Sequence, residues 1–150
     1  ERVERRTHRQ IVARYSMTVF LDSSALLSVA IEGRGRQVVI DALENDAQWC
    51  ASALALSEAL ALVPRLTDEQ ILQDDVEDAV RLLWDRIHIV PVDQLCLDRA
   101  AMIAREQPVH INDAIHLAAA DRLPRPLQFI TFDPAQIPVA LSMGYDVISS

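Results

Sequence analysis

MTVFLDSSALL, residues 17–27, is the stretch whose reading decides the fold. Thr18 to Leu21 is a β-branched and aromatic run of the kind that forms a buried strand. Asp22 ends that run, and Ser23 or Ser24 is placed to cap a helix continuing through Ala30. A buried strand followed at once by a helix opens an α/β domain, and the chain beyond it repeats the alternation. Gly33 and Gly35 break the chain before a helical stretch from Arg36 to Glu44. Trp49 to Ala51 then reads as a strand, and Ser52 to Leu62 as an apolar helix stopped near Pro64. Thr67 with Gln70 forms a capping-box pattern for a helix reaching Trp84. Ile87 to Val90 is a strand ended by Pro91, and Asp93 starts a helix through Ala104. Asn112 is expected to cap a helix from Asp113 to Asp121, with Pro124 and Pro126 in the loop after it. Leu127 to Thr131 and Tyr145 to Ile148 complete five strands, with a helix containing Pro134 between them and Gly144 at its end. Strands alternating with helices predict a three-layer α/β/α sandwich around a central, mostly parallel five-stranded sheet.

The bulk properties fit that class. A chain of 150 residues with 51% hydrophobic residues and three glycines suits one packed domain rather than a disordered segment. Residues 1–16, ERVERRTHRQIVARYS, differ in composition and read as an added or upstream segment, or as a short basic arm. The domain proper is expected over residues 17–150. The first 16 residues carry a net charge of +3, which leaves −11 on the rest of a chain whose total is −8. That acidity is unusual for a protein that meets RNA, which favours basic surface, and it equally suits a basic protein partner. Every Lys or Arg position is Arg. Cys50 and Cys96 lack metal-ligand spacing and read as buried free thiols in a reducing compartment. No apolar run approaches the length of a membrane span, and no signal-peptide pattern is read. A soluble, cytoplasmic protein is the expectation.

Four acids stand out on apolar segments: Asp22 in VFLDSSALL, Glu58 in ALSEALAL, Asp113 in HINDAIHLAAA and Asp133 in FITFDPAQ. Burial disfavours a carboxylate unless it is protonated, paired or bound to a cation. Each acid has a plain structural reading as well. Asp22 and Asp113 suit helix N-termini, Asp133 suits a turn, and Glu58 suits a solvated helix face. Taken together they favour one shared pocket, because ligands in a parallel sheet bind at the carboxyl ends of its strands. Two like charges about 4 Å apart repel by about 4 kcal/mol at an effective dielectric of about 20. A divalent cation reverses that sign, and oxygen-only ligands favour Mg²⁺ or Mn²⁺. Such an ion activates water and neutralises a scissile phosphate. His116, one turn after Asp113, reads first as a packed or hydrogen-bonded core histidine and second as a ligand. Ser23, Ser24 and Thr131 read as caps and turn residues beside the acids, or as supports for water or phosphate. Arg34 and Arg36 read as a solvated loop that is also able to touch phosphates.

On VFLDSSALL, SEAL, NDAIHLAAA, and ITFD followed by GYDVI, the chain resembles the PIN-domain family, and within it the VapC-type toxins of bacterial toxin–antitoxin pairs. The resemblance covers Met17 to Ser150. It implies a metal-dependent endoribonuclease acting on structured RNA, tRNA or rRNA, with a cognate VapB-type antitoxin docked across the site and a homodimeric state. It also implies Asp22 and Asp113 as principal Mg²⁺ or Mn²⁺ ligands. Glu58 and Asp133 would complete the site, through a second ion or a positioned water. Rival enzymes fit less well. Haloacid-dehalogenase-like enzymes need an Asp where Ser24 stands, receiver domains need paired acids at the end of the first strand, and a Rossmann binder needs a Gly-rich turn that DSSALL lacks. DNA nucleases of related fold usually carry more acids and additional helices. The remaining alternative is a catalytically inactive PIN-like module that binds an antitoxin or another protein.

Overall fold

The computed structural model describes residues 17–44 and 48–149, so the basic segment 1–16 lies outside the described residues. Five short strands, β1 (Thr18–Leu21), β2 (Gln48–Ser52), β3 (His88–Val90), β4 (Leu127–Ile130) and β5 (Asp146–Ile148), form one sheet in the order β3-β2-β1-β4-β5. All of its pairings are parallel, with Phe20 opposite Cys50 on one side and Phe129 on the other. The helices are α1 (Ser23–Ser28), α2 (Arg34–Glu44), α3 (Leu54–Leu66), α4 (Gln70–Trp84), α5 (Gln94–Glu106), α6 (Ile111–Asp121) and α7 (Gln136–Ser142).

Alternation along the strands divides these helices between the two faces. Val19, Leu21, Ala51 and Ile130 pack with Leu26 of α1, Val39 of α2, Ala55 and Ala59 of α3, and Val80 of α4. Phe20, Cys50 and Phe129 face the other way, against Ala100 of α5, Leu117 of α6 and Val139 of α7. The expected three-layer sandwich is therefore present. Phe20, Phe129 and Tyr145 stack in sequence, with ring centroids 5.3 and 5.7 Å apart. Small residues make the second layer thin: Ala114 and Ala118 on α6 are fully buried, as are Cys96 and Ala100 on α5. Both cysteines are buried free thiols, as their spacing implied. No helix among the described residues is long and apolar enough to cross a membrane.

Several local expectations are corrected. Pro64 lies inside α3 rather than stopping it, and the helix runs on to Leu66. Gly35 is helical, and only Gly33, at φ 147°, makes the break. The Thr67–Gln70 capping box does not form. Glu69 is the N-cap, while the Thr67 hydroxyl accepts the Glu69 N–H at 3.2 Å and Gln70 instead bonds Asp74. Asp22 caps α1 in place of the serines, its Oδ1 accepting the Ala25 N–H at 2.9 Å. His110, not Asn112, is the N-cap of α6, and Ser52 ends β2 instead of opening α3. Gly144 ends α7 as expected, with a φ of 84° that a side chain would strain.

Candidate active site

The chain builds β2 and β3 on one side of β1, then β4 and β5 on the other. The order therefore reverses between β1 and β4, and in open α/β sheets ligands bind at the carboxyl end of such a switch point. Asp22 is the residue immediately after β1, and Thr131 follows β4 beside it. The two are joined by a hydrogen bond from Thr131 Oγ1 to Asp22 Oδ2 at 2.5 Å. Ser24 strengthens the junction, donating to Asp22 Oδ1 at 2.6 Å and accepting the Phe132 N–H at 2.9 Å. Asp22 is thus both a helix cap and the floor of a pocket.

That pocket has a volume of about 380 Å³, and all four expected acids line it: Asp22, Glu58, Asp113 and Asp133. Asp113 enters from the first turn of α6 and is buried although its neighbours Ile111 and Asn112 are exposed. Gln136, the first residue of α7, connects it to Asp22: one amide nitrogen donates to Asp22 Oδ2 at 3.1 Å and to Asp113 Oδ1 at 3.2 Å. The two carboxylates therefore converge on a single point.

Glu58 and Asp133 are held differently. One Glu58 oxygen bonds His116 Nε2 and the other accepts from Asn112 Nδ2 at 2.9 Å. His116 is fully buried, with Nδ1 2.9 Å from the Ser52 hydroxyl. The histidine is therefore the hydrogen-bonded core residue its apolar setting implied, and it acts on Glu58. Asp133 sits at the turn before α7, where Oδ1 accepts the Ala135 N–H at 2.9 Å. Among the described residues, no three His, Cys, Asp or Glu side chains stand close enough together to hold a metal as they are placed. Convergence belongs to the pair, Asp22 and Asp113, with the other two acids on the surrounding wall.

The electrostatics follow the same division. Burial pushes the Asp22 carboxyl above its ordinary value, against the hydrogen bonds of Ser24, Thr131 and the Ala25 N–H and the charge of His116. Burial also raises Asp113, and the negative charges of Asp133, Glu58 and Asp22 raise it further while His116 opposes them. Glu58 is pushed up by burial, but its bonds to His116 and Asn112 outweigh this and hold it below the usual carboxylate range. Among the described residues, Glu58 is the only acid of the four with a cationic partner at ion-pair distance, and then only when His116 is protonated. A pocket of oxygen donors with surplus negative charge fits a hard divalent cation. Sequence reading passed over two further lining residues, Gln136 and Arg65. Arg65 lies just past Pro64, where the helix was expected to have ended. The lining contains neither Arg34 nor Arg36, both exposed on α2.

Comparison with known proteins agrees with this architecture. The family model described as PIN domain matches residues 19–140. No curated protein sequence matches the chain. Among solved structures, a toxin–antitoxin complex from Klebsiella pneumoniae is 20% identical with a TM-score of 0.62, over 87% of this chain and 96% of that one. VapBC-5 from Mycobacterium tuberculosis is 22% identical with a TM-score of 0.58, over 89% and 97%. PAE2754 from Pyrobaculum aerophilum is 16% identical with a TM-score of 0.64, over 89% and 91%. At these identities the shared property is the fold.

Proposed function

Since the chain belongs to the PIN-domain family, we propose that it is a VapC-type toxin: an Mg²⁺- or Mn²⁺-dependent endoribonuclease that cuts structured RNA, tRNA or rRNA. The observation that carries this reading is the convergence of Asp22 and Asp113 on one point at the switch point of the sheet, in a pocket walled by Glu58 and Asp133. Asp22 and Asp113 would hold the cation, and Glu58 and Asp133 would complete the site. The bound cation supplies Lewis acidity, drawing charge from phosphate oxygens and making water a stronger acid.

The protein's own residues do the positioning. Thr131 and Ser24 fix both Asp22 oxygens, so the carboxylate keeps one orientation as substrate arrives. His116, backed by Ser52, holds Glu58 ionised at the wall, where it is suited to orient water or accept a proton. Arg65 lies on the lining and offers a bidentate contact to a backbone phosphate. The acidic total charge suits a basic partner, and the proposal includes a cognate VapB-type antitoxin that neutralises the toxin by docking across the pocket. Exposed Leu66, Ile71 and Leu72, following Arg65 in the chain, add apolar surface of the kind a protein partner covers. A homodimer acting in the cytoplasm completes the proposal.

The test is incubation of purified, antitoxin-free protein with total cellular RNA, using Mg²⁺ or Mn²⁺, EDTA, and Asp113→Asn. Discrete products that require both metal and Asp113 support the reading and identify the RNA. Folded, metal-bound protein that leaves RNA intact would turn it toward the inactive interaction module.

A further inference from the structure

Gln136 has a feature that bracing the acids does not account for. Both amide hydrogens are used, on Asp22 Oδ2 at 3.1 Å and Asp113 Oδ1 at 3.2 Å. Its Oε1 is buried and receives no hydrogen bond, the only such side-chain atom among the described residues. The residue is 1% exposed yet lines the acid pocket. An unmet buried carbonyl costs about 1–3 kcal/mol, so a packed interior rarely keeps one without a use for it.

A carboxamide can be turned over. A half-turn exchanges its oxygen and nitrogen with little change in shape, converting a donor into an acceptor at the same place. After that turn, Oε1 would occupy the present position of Nε2, beside the same two carboxylate oxygens. Three oxygens gathered there repel one another unless a cation lies among them. The present spacings of 3.1 and 3.2 Å are near the ligand–ligand edge of an octahedral magnesium shell, about 2.9 Å for bonds of about 2.05 Å. After the turn the NH₂ group stands where Oε1 now is, a buried position with no hydrogen-bond partner, and cation binding has to offset the cost of those unmet donors. A Lys or Arg in this place would neutralise the acids permanently and exclude a cation; a neutral amide holds them without doing so.

We propose that Gln136 is a fifth, neutral member of the cation site: its nitrogen braces Asp22 and Asp113 in the cation-free protein, and its amide turns over on binding to present Oε1 to the ion. This rests on the divalent-cation reading of the pocket. It makes Gln136 a direct ligand of the ion and a neutral brace for the acid pair.

Mn²⁺ titration of the full chain, followed by the resonance of free Mn²⁺, separates the two levels. Wild-type protein should bind and Asp113→Asn should not. Gln136→Leu should bind at least about tenfold more weakly, while Gln136→Glu, which keeps an oxygen, should bind at least as tightly as wild type. In ¹⁵N spectra the Gln136 side-chain amide should shift at saturating Mg²⁺, while those of exposed Gln70 and Gln94 stay in place. Unchanged or tighter binding by Gln136→Leu, or an unmoved Gln136 amide at saturation, overturns the proposal and leaves the cation site standing. Absence of Mn²⁺ binding by wild type overturns both. If Gln136→Leu does not fold, Gln136→Glu and the amide resonance still decide the question.

Discussion

Asp22 and Glu58 line the same pocket, yet one is stabilised for charge and the other is not. Glu58 meets His116 and Asn112, which hold it in the ionised form. Asp22 has as many hydrogen bonds, but burial outweighs them and pushes its pKa up. Asp113 shares that condition, with the other acids adding their repulsion. What separates them from Glu58 is deep burial at Asp22 and neighbouring negative charge at Asp113, against which the hydrogen bonds and the charge of His116 are not enough. Among the described residues the inner pair has no cationic partner at ion-pair distance, and a divalent cation would provide one. The outer acid has its own partner and is free to serve as a fixed, charged wall.

The sharpest way to break this contrast is to neutralise one acid at a time. Asp22→Asn and Asp113→Asn should each lower RNA cleavage by at least about 10²-fold, the order seen when one electrostatic catalytic group is lost. Near-wild-type turnover in both would remove them from the site. Arg65→Ala should raise KM for RNA several-fold with kcat nearly kept, and reduce the salt dependence of binding by about one phosphate contact. Loss confined to kcat would show that Arg65 is not a phosphate contact.

Stability should separate the two kinds of acid by the sign of their pH dependence. For Asp22 and Asp113 the folded pKa lies above the ordinary 3.8. The cation-free folded state therefore holds protons that the unfolded chain has released, and stability falls as pH rises from about 3.8 through the folded values. Glu58 is lowered below 4.5, so its contribution is present above 4.5 and is lost as pH falls through its folded value. In EDTA, melting temperatures against pH should show Asp113→Asn removing part of the fall on the alkaline side of pH 4, and Glu58→Gln removing part of the loss on the acid side. A change of a few degrees is the expected scale. Identical profiles for the two variants would erase the distinction. The smallest effect belongs to Ser52→Ala, which loosens His116 behind Glu58; less than about a threefold loss of cleavage is expected, checked by single-turnover rates.

Some of this organisation was legible in the residues and some was not. The strands were readable because buried parallel strands are short, mostly apolar runs; TVFL stops at Asp22 and LQFI starts after Pro126. Asp22 and Asp113 stood out because a carboxylate beside such apolar segments is costly to bury unless it is protonated, paired or bound to a cation. Asn112 was misread because an Asn before an Asp resembles a cap, and its real partner, Glu58, is 54 positions away. Arg65 was hidden by Pro64, which reads as a helix stop although α3 runs on to Leu66. Gln136 gave no signal, since a neutral residue at the start of a helix carries no pattern. Its place depends on the start of α7 meeting Asp22, just after β1, and Asp113 on α6, which only the folded chain brings together. The four acids were readable as a group, but their division into a converging pair and a wall was not, because it is set by His116 and Gln136.

The most direct measurement is thermal melting at pH 7 in EDTA and in saturating Mg²⁺, for wild type, Asp113→Asn and Glu58→Gln. Asp113→Asn should melt higher than wild type in EDTA and lose the Mg²⁺-induced rise, since stabilisation by a ligand requires its site. Glu58→Gln should melt lower in EDTA and keep most of that rise. An undiminished Mg²⁺-induced rise in Asp113→Asn would contradict the assignment of surplus charge and cation binding to the inner pair.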